Sequence, residues 1–223
     1  MIDALGERYT ALAPDLRGHG SAAGRRPVTV EACVDDVVAD APERFGVAGY
    51  SMGGRLALRV ALAHPGRVER VVLVGTTPGI ADGLERAARR EADDALATQL
   101  EDGLDIETFA RRWQKQPIFK GQPPAVAAAV HEDRLRNEPA GLAAALRGLG
   151  QGAAEPLWER LGELRMPVTV VAGERDGTYA KLAERMVARL PQARALIVPG
   201  AGHAVHLEAP AIVAATLTGV QDA

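Results

Sequence analysis

A serine surrounded by glycines is the strongest chemical signal in this sequence. The segment GYSMGG (residues 49–54) contains a GxSxG pattern that follows an apolar, strand-like run and precedes a helical one. A serine on so tight a strand-to-helix turn presents its hydroxyl above the sheet. Gly49, Gly53 and Gly54 would let the backbone pack closely around that turn. We therefore predict that Ser51 is a catalytic residue; the alternative is a helix-capping serine in an ordinary turn.

A reactive serine needs a base, and the base needs a group that orients it. Asp176 and His203 each follow a strand-like run and come in the order Ser, Asp, His that strand–turn–helix enzymes of this kind use. We predict that they complete a triad with Ser51. Asp176 could instead cap the helix that follows it, and His206 is a rival to His203. The N–H of Met52, at the start of a helix, is predicted to stabilise an oxyanion.

Composition limits the classes of function. The chain has 223 residues, a net charge of -3 and a pI of about 6.0, which argues against nucleic acid or an anionic membrane as the main partner. The single cysteine, Cys33, fits a reducing cytoplasm. We find no membrane-spanning run, no signal-peptide pattern and no zinc-binding motif, and we expect neither a metal nor an organic cofactor. The oligomeric state is not set by the sequence.

Apolar runs and helical patterns alternate along most of the chain, which predicts an α/β fold with a mostly parallel, doubly wound sheet. The predicted strands are Arg8 to Asp15, Phe45 to Ser51, Val68 to Thr77, Met166 to Asp176 and Ala193 to His203. The predicted helices between and after them are Glu31 to Ala41, Gly53 to His64, Tyr179 to Leu190 and Ala209 to Leu217.

The middle of the chain has helical patterns only, broken by KGQPP, NEPAG and several glycines. We interpret residues 79–164 as a helical lid inserted into the sheet domain, over the edge where such folds bind ligands. The N-terminal part of the core would then comprise residues 1–78 and its C-terminal part residues 165–223.

With these motifs in place, the chain resembles the α/β-hydrolase superfamily. More narrowly, it is similar to the 2-succinyl-6-hydroxy-2,4-cyclohexadiene-1-carboxylate synthases of menaquinone biosynthesis, over nearly its whole length. PDLRGHG, GYSMGGRLAL and GAGHAVHLEAP occur in many α/β-hydrolases, and GERDGTYAKLA also reads like the synthase family. FARRWQKQPIF, the arginine after SMGG and RLRNEPAGLAAALRGLGQG are more discriminating.

The resemblance implies a carbon–oxygen lyase with a tricarboxylate substrate. The family's reaction removes a ring proton and eliminates pyruvate, with the serine acting as the base and without an acyl-enzyme. A generic α/β-hydrolase for a small ester, lactone or carbon–carbon substrate would use the same triad. A non-catalytic remnant is the third alternative.

Several other residues are candidate substrate ligands. Arg55 lies one helical turn after Ser51, so its guanidinium could pair with a substrate carboxylate, although a salt bridge within the fold would explain it too. The resemblance assigns carboxylate binding to Arg89 and Arg136, which could equally form solvated ion pairs. It assigns pocket lining to Tyr50 and Trp113, which could equally be core aromatics.

The resemblance also implies that the chain starts late. Family members open with a strand whose loop supplies a second oxyanion N–H, and residues 2–7 instead look like the helix that follows this loop. Without that strand, two buried strand edges would be unpaired, unless the strand at Arg8 to Asp15 shifts to pair with the one that ends at Ser51. We therefore expect an N-terminally shortened form of a longer protein.

Overall fold

The computed structural model describes residues 2–6 and 9–218. Its strands are β1 (Phe45–Tyr50), β2 (Val68–Val74), β3 (Val168–Gly173) and β4 (Ala193–Val198). Its α-helices are α1 (Val30–Asp40), α2 (Met52–Ala63), α3 (Gly83–Glu101), α4 (Ile106–Gln114), α5 (Pro124–Leu135), α6 (Pro139–Leu149), α7 (Gly177–Val187), α8 (Val205–Glu208) and α9 (Pro210–Thr218). Short 3₁₀ helices cover Ile2–Leu5, Gly20–Ala22, Pro117–Phe119 and Trp158–Glu163.

The chain forms two compact units. The first contains the described residues within 1–13, 37–78 and 157–223, and it holds the whole sheet. The second contains residues 14–36 and 79–156, which are helical apart from their connecting loops.

The sheet has four parallel strands in the order β1-β2-β3-β4. Parallel strands point the same way, so the segments that follow them emerge at one edge. Residues at the carboxyl ends of neighbouring strands therefore lie near one another, which is where open α/β sheets place their ligands. Four of the predicted strands are confirmed, each with a shorter C-terminal end.

Burial explains why these strands form. The β-branched valines of β2 and β3 are almost completely buried, as expected for central strands covered on both faces. Toward the carboxyl ends of the strands, valines of β2, β3 and β4 pack with valines of the last two helices. These are Val72, Val74, Val171 and Val198 of the strands and Val205 and Val213 of the helices. This cluster fixes the ends of β2, β3 and β4 beneath the loops that follow them.

The predicted strand at Arg8 to Asp15 is wrong for its described part, since residues 9–15 adopt no regular structure. A strand needs a neighbour for its backbone groups, and among the described residues β1 pairs only with β2. Tyr9 and Leu12 are instead exposed. The shift of this segment onto β1 does not occur there either. The helix predicted over residues 2–7 is a 3₁₀ helix over Ile2–Leu5, while Glu7 and Arg8 lie outside the described residues.

The second unit is built from helices α3 to α6 together with residues 14–36, which include the first part of α1. Aspartates begin two of these helices: Asp82 accepts a hydrogen bond from Glu85 N, and Asp105 accepts one from Thr108 N. The core of this unit is a cluster of small and large apolar side chains from α3, α4 and α6, comprising Ala97, Leu100, Phe109, Leu142 and Ala143. Residues 79–164 contain helices and no strand, as their pattern predicts.

None of the helices in the described ranges is both long and apolar enough to cross a membrane. Within the same ranges, no three His, Cys, Asp or Glu side chains are grouped so that they could hold a metal ion.

Candidate functional site

Ser51 occupies a strained turn between β1 and α2. Its backbone has φ 49° and ψ -108°, and no other described non-glycine residue has a positive φ. The turn is held by hydrogen bonds: Ser51 N donates to Val74 O (2.9 Å), and Ser51 O accepts from Thr76 Oγ1 (2.7 Å). A side chain in this backbone region costs roughly 1–3 kcal/mol and persists where the surroundings enforce it. Such strain is common at functional sites.

Two of the three glycines around the turn are required by space. A Cβ added to Gly49 would lie 2.1 Å from Gly53 O, and one added to Gly54 would lie 2.6 Å from Thr76 Cβ. Gly53 was predicted to serve the same purpose, and this prediction is wrong. A Cβ added there meets no described atom within 4 Å.

Met52 is the first residue of α2. The first N–H groups of a helix have no acceptor within the helix and lie at the positive end of its dipole. The Met52 N–H is thus placed next to Ser51 in the way that an oxyanion donor requires.

Asp176 makes both of the contacts that the two alternatives call for, a helix-cap bond and a contact with His203. It precedes α7, and one carboxylate oxygen accepts from Tyr179 N at 3.4 Å, as a helix cap does. Its other oxygen lies 2.6 Å from His203 Nδ1. Capping therefore does not compete with the triad role, because the cap holds the carboxylate while it contacts the histidine.

His203 is buried in a pocket of rings and backbone. Its side chain is only 2% exposed, and its ring centroid lies 5.1 Å from that of Tyr50 and 4.7 Å from that of Tyr179. Gly75 borders the ring so closely that an added Cβ would lie 3.0 Å from His203 Cε1. When Nδ1 carries the proton that it shares with the carboxylate, Nε2 is the ring nitrogen that has an acceptor lone pair.

His206 lies nearby in a different environment. Its ring is tilted against that of Tyr50, with 4.2 Å between centroids, and its buried Nδ1 has no hydrogen-bond partner within the described residues. Burial, with the neighbouring His203, lowers the pKa of His206 to about 4. The Asp176 carboxylate contacts His203, so the geometry favours His203 over His206 as the triad histidine.

The three predicted triad residues share one edge of the sheet. Ser51 follows β1, Asp176 follows β3 and His203 follows β4, while the loop after β2 connects them. That loop binds the backbone of Ser51 through Thr76 and touches the His203 ring through Gly75. Of the contacts that a Ser-His-Asp triad uses, the structure provides the one between Asp176 and His203, at the sheet edge that also carries Ser51.

Three residues that contact the candidate triad or its loops were not predicted from the sequence. Thr76 and Tyr179 contact Ser51 and His203, respectively. Glu208 accepts hydrogen bonds from Gly202 N at 2.9 Å and from Arg175 Nη2 at 2.7 Å. Thr76 and Tyr179 lie in the first segments after β2 and β3, where loops of the same edge meet, whereas Glu208 lies beyond the loop after β4, at the end of α8.

Arg55 and Tyr50 flank Ser51 on the two elements that form its turn. Arg55 is half-buried on α2, and its backbone N–H donates to the backbone oxygen of Ser51 at 3.2 Å, as in a regular helical turn. Tyr50, the last residue of β1, packs on the valine cluster and also against both histidine rings. Tyr50 is therefore a core residue and a site neighbour at once.

The other three candidate ligands lie in the second unit, where each has a structural partner. Arg89 Nε pairs with Asp93 Oδ1 at 2.9 Å, one turn along α3. Arg136 pairs with Asp133 at 3.1 Å and Asp15 at 3.3 Å. These contacts realise the ion-pair alternative for both arginines in the described structure.

Trp113 packs against the core of the second unit. Its ring stacks on Phe109 with 5.4 Å between centroids, and it borders the apolar cluster of that unit. The core alternative is thus realised for Trp113.

Comparison with known proteins is consistent with this geometry. The model of the alpha/beta hydrolase family matches residues 1–216. A putative 2-succinyl-6-hydroxy-2,4-cyclohexadiene-1-carboxylate synthase of Bacillus subtilis (strain 168) is 41% identical over 166 residues, which span 73% of this chain and 60% of that protein. A synthase of the same name from Enterobacter sp. (strain 638) is 30% identical over 95% of this chain and 81% of its own length.

A solved structure agrees as well. MenH from S. aureus superposes with a TM-score of 0.85 at 30% identity, covering 92% of this chain and 80% of that one. The predicted resemblance is confirmed, and so is its narrower form, a similarity to synthases of this name. The sequence, the parallel sheet and the family match lead to one conclusion: the chain belongs to the alpha/beta hydrolase family.

Proposed function

We propose that this chain is a carbon–oxygen lyase of menaquinone biosynthesis, which abstracts a ring proton from an enolpyruvyl-succinyl-hydroxycyclohexene carboxylate and eliminates pyruvate. The observation that carries the proposal is the 2.6 Å contact between Asp176 and His203 on the sheet edge where Ser51 adopts its strained turn. The names of the synthase relatives supply the reaction class.

The triad would act as a proton relay. Asp176 holds His203 with Nδ1 protonated, which leaves Nε2 to accept the proton of the Ser51 hydroxyl. Ser51 Oγ then takes the ring proton, the C–H electrons form a new ring double bond, and the carbon–oxygen bond to the enolpyruvyl group breaks. The enolpyruvate leaves with the electrons of that bond, and the proton held by the His203 imidazolium returns to it to give pyruvate. The imidazolium formed in this step is stabilised by the Asp176 carboxylate beside it.

Charge that develops on the succinyl carbonyl needs a donor at the same place. The N–H of Met52 at the start of α2 is suited to this role, because it combines an unsatisfied donor with the helix dipole. In other enzymes, losing one such donor costs roughly a hundredfold to a thousandfold in rate.

The carboxylates of the substrate would be bound by arginines. Arg55 is the first candidate, because it is half-buried and lies one helical turn after Ser51. To bind the substrate, Arg89 and Arg136 would have to release Asp93 and Asp133. The loss of these ion pairs would offset part of the free energy of substrate binding. Tyr50 and Trp113 would line the site, with residues 79–164 acting as the lid.

We place this reaction in the cytoplasm, where the buried thiol of Cys33 would stay reduced, and expect only the small-molecule substrate as a partner.

One assay tests the proposal. The purified protein is incubated with the enolpyruvyl precursor, and pyruvate is followed through lactate dehydrogenase. We expect pyruvate release that depends on Ser51. Turnover of p-nitrophenyl esters without pyruvate release would favour a hydrolase, and activity in neither assay would favour a remnant.

A further inference from the structure

One buried carboxylate connects the two loops that carry Asp176 and His203. Glu208, the last residue of α8, has a side chain that is only 4% exposed. Its Oε2 accepts a hydrogen bond from the N–H of Gly202, directly before His203, at 2.9 Å. The same oxygen accepts one from Arg175, directly before Asp176, at 2.7 Å.

The bond between Gly202 and Glu208 closes a short loop that contains the histidine. It joins the first and last residues of the segment 202–208, to which His203 belongs. The turn of α8 completes it, because Glu208 N donates to Ala204 O at 3.0 Å. The backbone of His203 is therefore tied at both sides.

The backbones of the two loops are in direct contact as well. Arg175 N donates to Ala201 O at 2.9 Å, and a Cβ added to Gly173 would lie 2.1 Å from Gly202 O. The Glu208 carboxylate adds a side-chain link between the same two loops, through Gly202 and Arg175. Without this link, only the remaining contacts would set the position of Asp176 relative to His203.

Burial makes this arrangement informative. A carboxylate with so little exposure loses its hydration, and Arg175, which is 42% exposed, restores only part of it. Glu208 Oε1 is buried and has no hydrogen-bond partner in the described part of the chain. An apolar side chain would avoid this cost, so the charge at position 208 has a role other than filling space.

We infer that Glu208 is a positioning residue, which sets the geometry of the Asp176–His203 pair by holding Gly202 and Arg175 together. The inference rests on the proposed function of the triad. Glu208 acts through its neighbours and is not assigned any contact with substrate.

The test uses Glu208→Gln and Glu208→Ala in the full chain. Loss of the tether lets the catalytic pair drift, so kcat should fall on the order of a hundredfold in the alanine variant while KM stays unchanged. Glutamine keeps a neutral acceptor for Gly202 but loses the charge that pairs with Arg175, so kcat should fall on the order of tenfold.

Glu163→Gln is the matched control. Glu163 also pairs with an arginine, Arg160, at 2.8 Å in the same unit, but its side chain is 52% exposed. We expect this variant to keep the wild-type kcat, KM and melting temperature.

Two readouts do not depend on the natural substrate. A small fluorophosphonate modifies Ser51 when Oγ attacks phosphorus, fluoride leaves and His203 takes the serine proton. The rate of this modification should fall in parallel with kcat. The far-downfield proton resonance of His203 Nδ1, bonded to Asp176, should broaden or shift in both Glu208 variants and not in Glu163→Gln.

The outcomes separate the two proposals. If the wild-type protein releases no pyruvate, the proposed function fails, while the fluorophosphonate rate and the proton resonance still decide the role of Glu208. If both readouts and kcat are unchanged in Glu208→Gln, or only the melting temperature falls, the positioning role is wrong. Should Glu208→Ala fail to fold, the glutamine variant carries the test alone.

Discussion

The Ser51 edge of the first unit and the arginine-rich helices of the second unit stabilise their polar groups in opposite ways. At the sheet edge, Asp176 and His203 are almost fully buried and bonded to each other at 2.6 Å. In the second unit, Arg136 is 60% exposed and Arg89 is 37% exposed, and each pairs with an aspartate three or four residues away.

The two regions differ in how firmly their polar side chains are held in one conformation. Burial of polar groups costs free energy, so the burial of Asp176 and His203 indicates a role other than that of ordinary polar surface residues. The exposed Arg136–Asp133 pair is of a kind that contributes little to stability, whereas the Arg89–Asp93 pair is intermediate, because Asp93 is buried. The buried contact between Asp176 and His203 therefore supports the proposed catalytic residues, whereas the proposed role of the arginines in substrate binding rests on resemblance.

The largest effect is expected at Ser51. Ser51→Ala removes the proton acceptor and should lower the rate of pyruvate release by about a thousandfold or more. The chain has one other serine, Ser21, whose hydroxyl is bonded to Asp15 in the second unit. Ser21→Ala is the matched control and should keep its activity. Equal losses in both variants would remove the contrast between the two regions.

The turn itself can be tested with two glycines of the same motif. Gly49→Ala places a Cβ 2.1 Å from Gly53 O and should destabilise the fold by about 3 kcal/mol or prevent folding. Gly53→Ala has open space around it and should be neutral, or stabilise α2 by up to about 1 kcal/mol. Urea unfolding measures both free energies. Similar destabilisation by both would mean that the geometry of the turn is wrong.

The arginines provide the direct comparison of the two regions. Arg55→Ala should lower kcat/KM by about tenfold to a hundredfold, since a substrate carboxylate would lose a charged partner. Arg89→Ala and Arg136→Ala should cost less, because Asp93 and Asp133 already compete for these side chains. Steady-state kinetics on the three variants, with exposed Arg111→Ala as a control, would show the order. An unchanged rate in Arg55→Ala would count against its carboxylate role.

The smallest effect concerns stability at acidic pH. His206 has a pKa of about 4 in the folded protein, below the value of about 6.5 expected when unfolded. Between these values the unfolded chain binds a proton that the folded chain does not, so stability falls as the pH drops from about 6.5 to about 4. His206 should account for about 1–2 kcal/mol of the loss between pH 7 and pH 5.

His206→Phe keeps an aromatic ring against Tyr50 and cannot be protonated. Urea unfolding at pH 7 and pH 5 should show a smaller difference for this variant than for the wild-type protein. The same pH dependence in both proteins would mean that His206 is not the titrating group.

Local sequence patterns predicted those candidate residues whose position follows from the order of strands along the chain. Ser51, Asp176 and His203 each lie directly after an apolar run, and parallel strands bring such positions together. Strand prediction failed at residues 9–15, because an apolar run becomes a strand only beside a partner with free backbone groups.

The residues that the sequence could not identify act across long separations. Glu208 holds Arg175 although 33 positions separate them, and Thr76 binds Ser51 across 25 positions. Neither contact leaves a local pattern, since each depends on the loops that the finished sheet brings together. The expectation of a late chain start stays a prediction.

Proton abstraction by Ser51 is the central claim, and a single-turnover experiment tests it most directly. The precursor is prepared with deuterium on the ring carbon that loses its proton, and pyruvate release is compared with the undeuterated compound, with mass spectrometry of the protein during turnover. We expect slower release from the deuterated substrate and no covalent adduct on Ser51. Equal rates together with a substrate-derived adduct on Ser51 would contradict the account and identify Ser51 as an acyl acceptor.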